Sequence, residues 1–193
     1  MTVECRYLEG ISFLVVDDNS FVRTLVGRVL RTFGARAVSE ASDGVDALDI
    51  MRDFKPDILI IDWEMQPLDG IELTRMVRTG QDSPDPFMPI IMLSGHSERY
   101  RVMAARDAGV TEFVIKPVSA QALFSRIQAV IERPRRFVRT AVYFGPDRRR
   151  TKTAYSGPER RNAESEEDSI VQNPHQDMGQ DEVDIIFNPD SGR

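Results

Sequence analysis

The chain has one cysteine, Cys5, in 193 residues, which excludes an intramolecular disulfide and points to a reducing compartment. No apolar stretch approaches the ~20 residues of a membrane span, and Met1-Thr2-Val3-Glu4 has no signal-peptide pattern. A cytoplasmic protein with no membrane segment is therefore expected. Histidine is scarce as well: beyond His96 there is only His175, in a polar tail where neither metal ligation nor phosphotransfer is expected. What remains is 41% hydrophobic, enough for the packed core of one ordinary domain with an appendage. The net charge of -6 hides a strong asymmetry. Residues 1–131 carry 14 basic and 19 acidic side chains, 132–161 carry 10 and 3, and 162–193 carry 1 and 9. An acidic domain is followed by a basic arm and then an acidic tail.

Four short apolar runs give the domain its character, because each ends in a polar residue. Phe13-Leu14-Val15-Val16 runs into Asp17-Asp18, Ile58-Leu59-Ile60-Ile61 into Asp62, Ile90-Ile91-Met92-Leu93 into Ser94-Gly95, and Phe113-Val114-Ile115 into Lys116-Pro117. Continuous apolar runs of this length read as strands buried on both faces. Ala37–Ala41 reads as a further, shorter strand.

Helical periodicity fills the gaps. Ser20 is placed to cap a helix with Val22, Leu25, Val26, Val29 and Leu30 on one face, closed by Gly34; Asp43 caps a second through Val45, Leu48, Met51 and Phe54. A third follows Gly70, a fourth runs from about Glu98 to Ala108, and a fifth follows Ser119. Strands alternating with helices predict an α/β fold, a doubly wound five-stranded parallel sheet covered on both faces. In such a sheet the carboxyl ends of the strands share one edge. Three carboxylates, a hydroxyl and an ammonium thus converge, a set suited to a hard cation and a phosphoryl group. Asp17, Asp18 and Asp62 would repel one another in a common cleft, and a divalent cation such as Mg²⁺ resolves the conflict. Lys116, Ser94 and the Gly95 N–H can hold phosphoryl oxygens, and Asp62, placed among them, can act as the nucleophile.

At this point the chain resembles the receiver domain of two-component response regulators, with a flavodoxin-like fold, over about residues 9–132. The resemblance rests on Val16-Asp17-Asp18-Asn19, Ile61-Asp62-Trp63-Glu64-Met65 through Leu68-Asp69-Gly70, Ser94-Gly95 and Lys116-Pro117. It implies that Asp62 accepts a phosphoryl group from a histidine kinase or phosphotransfer protein. It implies that Asp17, Asp18, Asp62 and the backbone carbonyl of Glu64 hold Mg²⁺, and that Lys116 binds the phosphoryl. Ser94 and Phe113 would be the hydroxyl and aromatic switch pair, Lys116-Pro117 a cis bond, and a homodimer an available phosphorylated state. Phe113 lacks the hydroxyl a Tyr would offer, and Pro67 lies one position later than in the commonest loop pattern. Glu64 and His96, two residues beyond Asp62 and Ser94, flank the site where water would reach it. A haloacid-dehalogenase-type phosphatase also uses Asp, Mg²⁺, Ser/Thr and Lys. Its nucleophile belongs to an Asp-x-Asp after the first strand, whereas adjacent Asp17-Asp18 stand there here. The reading is a regulatory phosphoacceptor rather than an enzyme.

The output is read from the residues beyond Ile131. Residues 133–193 lack the periodic apolar helices of a helix-turn-helix and are expected to be largely disordered. Tyr143-Phe144-Gly145-Pro146-Asp147-Arg148-Arg149 recurs as Tyr155-Ser156-Gly157-Pro158-Glu159-Arg160-Arg161, a tandem pair of linear motifs. Signalling through contacts with a downstream protein, or phosphorelay, is the expected output. Nucleic-acid binding by the basic arm, with Arg135, Arg136, Arg139, Arg148, Arg149, Arg150, Lys152, Arg160 and Arg161 among aromatic residues, is the alternative.

Overall fold

The computed structural model describes residues 7–81, 83–140, 143–147 and 176–188. Five parallel strands, β1 (Ser12–Val16), β2 (Ala37–Ala41), β3 (Ile58–Asp62), β4 (Ile90–Ser94) and β5 (Glu112–Ile115), form one sheet in the order β2-β1-β3-β4-β5. The helices that connect them are α1 (Ser20–Thr32), α2 (Gly44–Asp53), α3 (Gly70–Thr79), α4 (Arg99–Ala108) and α5 (Ala120–Glu132). Alternate residues of each central strand enter different cores. Phe13, Val15, Ile58, Ile60, Ile91 and Leu93 pack with Val26, Leu30, Leu123 and Ile127 of α1 and α5. Leu14, Val16, Leu59, Ile61, Ile90 and Met92 pack with Met51, Leu73, Val77 and Val102 on the opposite face. Burial of both strand faces is why these strands carry no polar alternation.

Helix starts follow their capping chemistry. Asp43 accepts from the backbone N–H of Val45 and Asp46, Ser119 from that of Ala122, and Asp69 forms a capping box with Glu72. The start of α1 differs from expectation: Asn19, not Ser20, is the cap, its side chain accepting from Phe21 N–H. Asn caps at least as well as Ser, and Asn19 N–H in turn donates to Asp17 Oδ1 at 2.9 Å. The cap thus fixes a residue of the site.

The region after α5 contains elements that the sequence reading did not place. Among its described residues, β6 (Phe137–Arg139) and β7 (Phe144–Pro146) pair antiparallel, and α6 (Gln180–Phe187) is a helix. Residues 148–175 and 189–193, including the second copy of the tandem motif, lie outside the described residues. The first copy is committed to its own receiver. Phe144, Gly145 and Pro146 are buried, Phe144 meets Phe87 edge-on, and a Cβ on Gly145 would come within 3.0 Å of Gly109 Cα. The second copy has Ser156 where Phe144 supplies the anchor.

Arg78, on α3, holds this hairpin side together and was not legible as a structural residue. It is 2% exposed, donates to the carbonyls of Gly109, Pro86 and Met88, and lies 5.1 Å from the Phe137 ring centroid. Burial pushes its pKa down to about 10, so it stays charged at neutral pH. Arg78→Ala would strand two buried carbonyls and one half-buried one and leave a cavity, and is expected to cost ~3 kcal/mol in urea unfolding. Arg78→Lys should recover only part, because an ammonium cannot reproduce the planar fork; full recovery by lysine would contradict this account.

Candidate functional site

The carboxyl edge of the sheet collects the residues that the sequence singles out. Asp17 follows β1, Asp62 ends β3, Ser94 ends β4 and Lys116 follows β5. The strand order reverses between β1 and β3, so the first two flank the topological switch point where ligands bind in open α/β sheets. Gly70 brings α3 against the same edge: a Cβ there would lie 2.2 Å from the Asp62 carbonyl oxygen, so only glycine fits. Its N–H donates to the Trp63 carbonyl at 2.9 Å.

Lys116 is the hub of the cleft. Its Nζ lies 2.8 Å from Asp62 Oδ1 and 2.9 Å from Asp17 Oδ2. Asp17 is fully buried and Asp62 is 6% exposed, while Asp18 is exposed at the cleft mouth. Carboxylate oxygens of the three aspartates lie within 4.8 Å of one another, an acidic cluster able to hold a hard divalent cation with waters in its other positions. Trp63, Glu64, Met65, Gln66 and Asp69 line the open cleft beside Asp18. Ser94 is buried, its Oγ accepting from His96 N–H at 3.0 Å and its carbonyl from Lys116 N–H at 2.7 Å. The Lys116-Pro117 bond is cis, as expected, and Gln66-Pro67 is cis too.

The charges are unevenly settled. Burial raises the Asp62 pKa, the hydrogen bond and charge of Lys116 pull it back, and Asp17 pushes it up again; the net direction is upward. For Lys116, burial acts downward, but its hydrogen bonds to Asp62 and Asp17 outweigh it and leave the ammonium above its ordinary value. The cluster holds three carboxylates with one ammonium, which pairs with Asp17 and Asp62, and this leaves room for more positive charge.

At the rim, Glu64 and His96 touch each other: His96 Nε2 lies 2.8 Å from Glu64 Oε1. Arg101 of α4, which sequence reasoning did not single out, joins them at 3.2 Å from Glu64 and lies 5.7 Å from the Trp63 ring centroid. Only the fold brings Arg101 to the site, so no local motif could have marked it. Phe113 is 1% exposed and faces the core of Met92 and Val102.

A doubly wound sheet with carboxylates, a hydroxyl and an ammonium gathered at its carboxyl edge defines a receiver. Residues 13–128 match the response regulator receiver domain family, and the chain belongs to it. Chemotaxis protein CheY of Pseudomonas aeruginosa is 35% identical over 123 residues, which are 64% of this chain and 98% of that protein. Among solved structures, chemotaxis protein CheY4 of Vibrio cholerae superposes with a TM-score of 0.58 at 29% identity, covering 62% of this chain and 98% of the other. The receiver domain of a sensor histidine kinase from P. aeruginosa, with a magnesium ion coordinated in its active-site cleft, gives 0.57 at 27%, covering 64% and 98%. The chain therefore holds a two-component receiver, homologous to chemotaxis and histidine-kinase receivers. The segment after α5 is an addition to a complete domain.

The raised Asp62 pKa has a sign that can be tested. Folded metal-free protein binds the Asp62 proton more tightly than unfolded chain. The stability contribution of Asp62 therefore falls as pH rises from the ordinary value of 3.8 through the raised folded value, and stays low above it. In metal-free buffer at pH 7, Asp62→Asn should be more stable than wild type by on the order of 1 kcal/mol, and the difference should vanish below about pH 4. Thermal unfolding across pH checks this; a less stable Asn variant at pH 7 would contradict the assigned balance.

Proposed function

We propose that this protein is a response regulator whose Asp62 takes a phosphoryl group from a phosphohistidine of a cytoplasmic histidine kinase or phosphotransfer protein. The observation that carries the reading is the placement of Lys116 Nζ within 3 Å of both Asp62 and Asp17 at the switch point of the sheet. An Asp62 carboxylate oxygen attacks phosphorus, the P–N bond breaks, and the imidazole leaves with the electron pair and takes up a proton. Lys116 neutralises one phosphoryl oxygen as charge develops. The Ser94 hydroxyl and the Gly95 N–H, at the end of β4 beside Asp62 on β3, would serve others. Mg²⁺ fits the donor set of Asp17, Asp18, Asp62 and the Glu64 carbonyl, and when bound it supplies charge neutralisation on phosphoryl oxygens.

The output is contact with a protein partner or onward relay, and the only hydrolysis is that of the protein's own acyl phosphate. Homodimerisation on phosphorylation belongs to the same reading. Nucleic-acid binding by the basic arm finds no support in the comparisons. Of that arm, Arg135 is engaged with the carbonyls of Thr111 and Phe187, and Arg139 lies over Phe144.

Incubation with acetyl phosphate and Mg²⁺ should label wild type with an acid-stable, base-labile phosphate and leave Asp62→Asn unlabelled. Asp18→Ala should keep the fold while losing both labelling and the Mg²⁺ response of Trp63 fluorescence. Substantial labelling of Asp62→Asn would sink the assignment, and an unchanged Mg²⁺ titration in Asp18→Ala would sink the metal site.

A further inference from the structure

The groove formed by α4, β5 and α5 is filled by the chain's own C-terminal segment. Five kinds of contact seat it there. Val183 and Phe187, four apart on α6, are 0% and 1% exposed, and Phe187 stacks on Phe113 with centroids 5.9 Å apart. The side-chain amide of Gln180 pairs with the free edge of β5 as a strand would: its Oε1 accepts from Ile115 N–H at 2.7 Å and its Nε2 donates to the Phe113 carbonyl at 3.0 Å. Arg126 of α5 bridges Asp184 of α6 and the buried Glu112 of β5. Arg135 donates to the Phe187 carbonyl at the C-terminus of α6. Ahead of the helix, Asp177 bridges to Glu98, Met178 N–H donates to the Ser97 carbonyl at 2.9 Å, and Arg99 N–H donates to the Gln176 carbonyl at 3.1 Å.

These contacts are specific but their total is small. An eight-residue helix does not persist alone in water, its buried apolar anchors are Val183 and Phe187, and Ile185 is 59% exposed. The segment is tethered through residues 148–175, so it competes as a local, intramolecular ligand whose advantage is its effective concentration. We propose that α6 is a removable in-cis ligand of the α4–β5–α5 groove. The groove is thus an exchangeable docking site for an acidic amphipathic helix that begins with Gln and carries apolar anchors four residues apart.

The two sites share one loop. Ser94 ends β4 at the carboxyl edge, with its Oγ accepting from His96 N–H, His96 touches Glu64 at the cleft rim, and the next residues, Ser97 and Glu98, hold the tail. A phosphoryl group on Asp62 that recruits the Ser94 hydroxyl draws this loop toward Asp62 and away from Asp177 and Met178. Phosphorylation and tail docking therefore oppose each other, a coupling that rests on the phosphoacceptor reading above, whereas the docking itself does not.

The test uses the full chain and a fluorescent synthetic peptide of residues 176–188. Wild type should bind the peptide at least about tenfold more weakly than Phe187→Asp, whose own helix is expelled; tenfold corresponds to 1.4 kcal/mol. Ile185→Asp, on the outward face, should behave as wild type, and Gln180→Ala should lie between. Peptide binding that is equal in wild type and Phe187→Asp, or absent from both Gln180→Ala and Phe187→Asp while circular dichroism shows them folded, would overturn the docking site. A dimer of wild type in sedimentation that dissociates in Phe187→Asp would overturn occupancy in cis in favour of exchange between copies. With Mg²⁺ and beryllium fluoride as the phosphoryl analogue, Phe187→Asp, whose groove is open, should lose affinity for the peptide, and the double variant Phe187→Asp with Asp62→Asn should not. If Trp63 fluorescence reports the analogue bound and the affinity of Phe187→Asp for the peptide is unchanged or higher, the coupling is overturned. Failure of the analogue to bind at all would instead count against the phosphoacceptor reading and leave the peptide comparison to decide the docking site.

Discussion

One ammonium held between two buried carboxylates sets the terms for the rest of the molecule. Lys116 lies within hydrogen-bonding distance of Asp17 and Asp62, and taking those charges out of water is costly unless they remain paired. The pairing requires that the ends of β1, β3 and β5 meet in register, which a five-stranded parallel sheet in the order β2-β1-β3-β4-β5 provides. Asn19 capping α1 and Gly70 opening α3 then pin the loops on either side. The cluster is still short of positive charge, since Asp62 is left with a raised pKa despite its lysine. A site in that condition favours whatever brings cationic charge to it. The same deficit that lowers stability in the metal-free protein thus supports the metal-binding reading.

The second constraint is the open edge of the sheet. β2 and β5 are the edge strands, and an unpaired edge invites association with another chain. At β5 the exposed groups on Phe113 and Ile115 are met by a single glutamine amide, which offers one acceptor and one donor at nearly the spacing of a neighbouring strand. The addition to the receiver therefore does two things in one place: it satisfies the backbone edge and buries the aromatic ring of Phe113 under Phe187.

Most of the receiver was legible because its signals are local. The apolar runs at Phe13, Ile58, Ile90 and Phe113, and the polar residues that end them, needed no tertiary information. The added elements were not, and the reasons are physical. α6 reads as Gln-Asp-Glu-Val-Asp-Ile-Ile-Phe, four apolar residues set among acids. Its acids face solvent or Arg126, and its two buried anchors acquire meaning only against a groove formed by residues more than fifty positions away. Arg78 looks like one more surface arginine on an amphipathic helix, and becomes a buried keystone only when the hairpin of β6 and β7 closes over it. Disorder is inferred from the absence of a self-sufficient core. At β6, β7 and α6 the chain borrows the core of a neighbouring domain, which that criterion does not register.

β5 connects the two constraints over a short distance. It is four residues long; Lys116 follows its last residue, and Gln180 grips Phe113 and Ile115 along its edge. Ser94 and the tail-holding residues Ser97 and Glu98 are equally close on the neighbouring loop. No extended pathway is needed for the cleft and the groove to influence each other, because both use the same backbone. Under the proposed coupling, reciprocity is obligatory: whatever factor phosphoryl binding takes from the hold on α6, the docked helix takes from the affinity of the cleft for a phosphoryl group or its analogue. A helix that occupies the groove in cis would then act on both functions at once, by competing with partners for the groove and by biasing Asp62 against occupancy until a partner removes it.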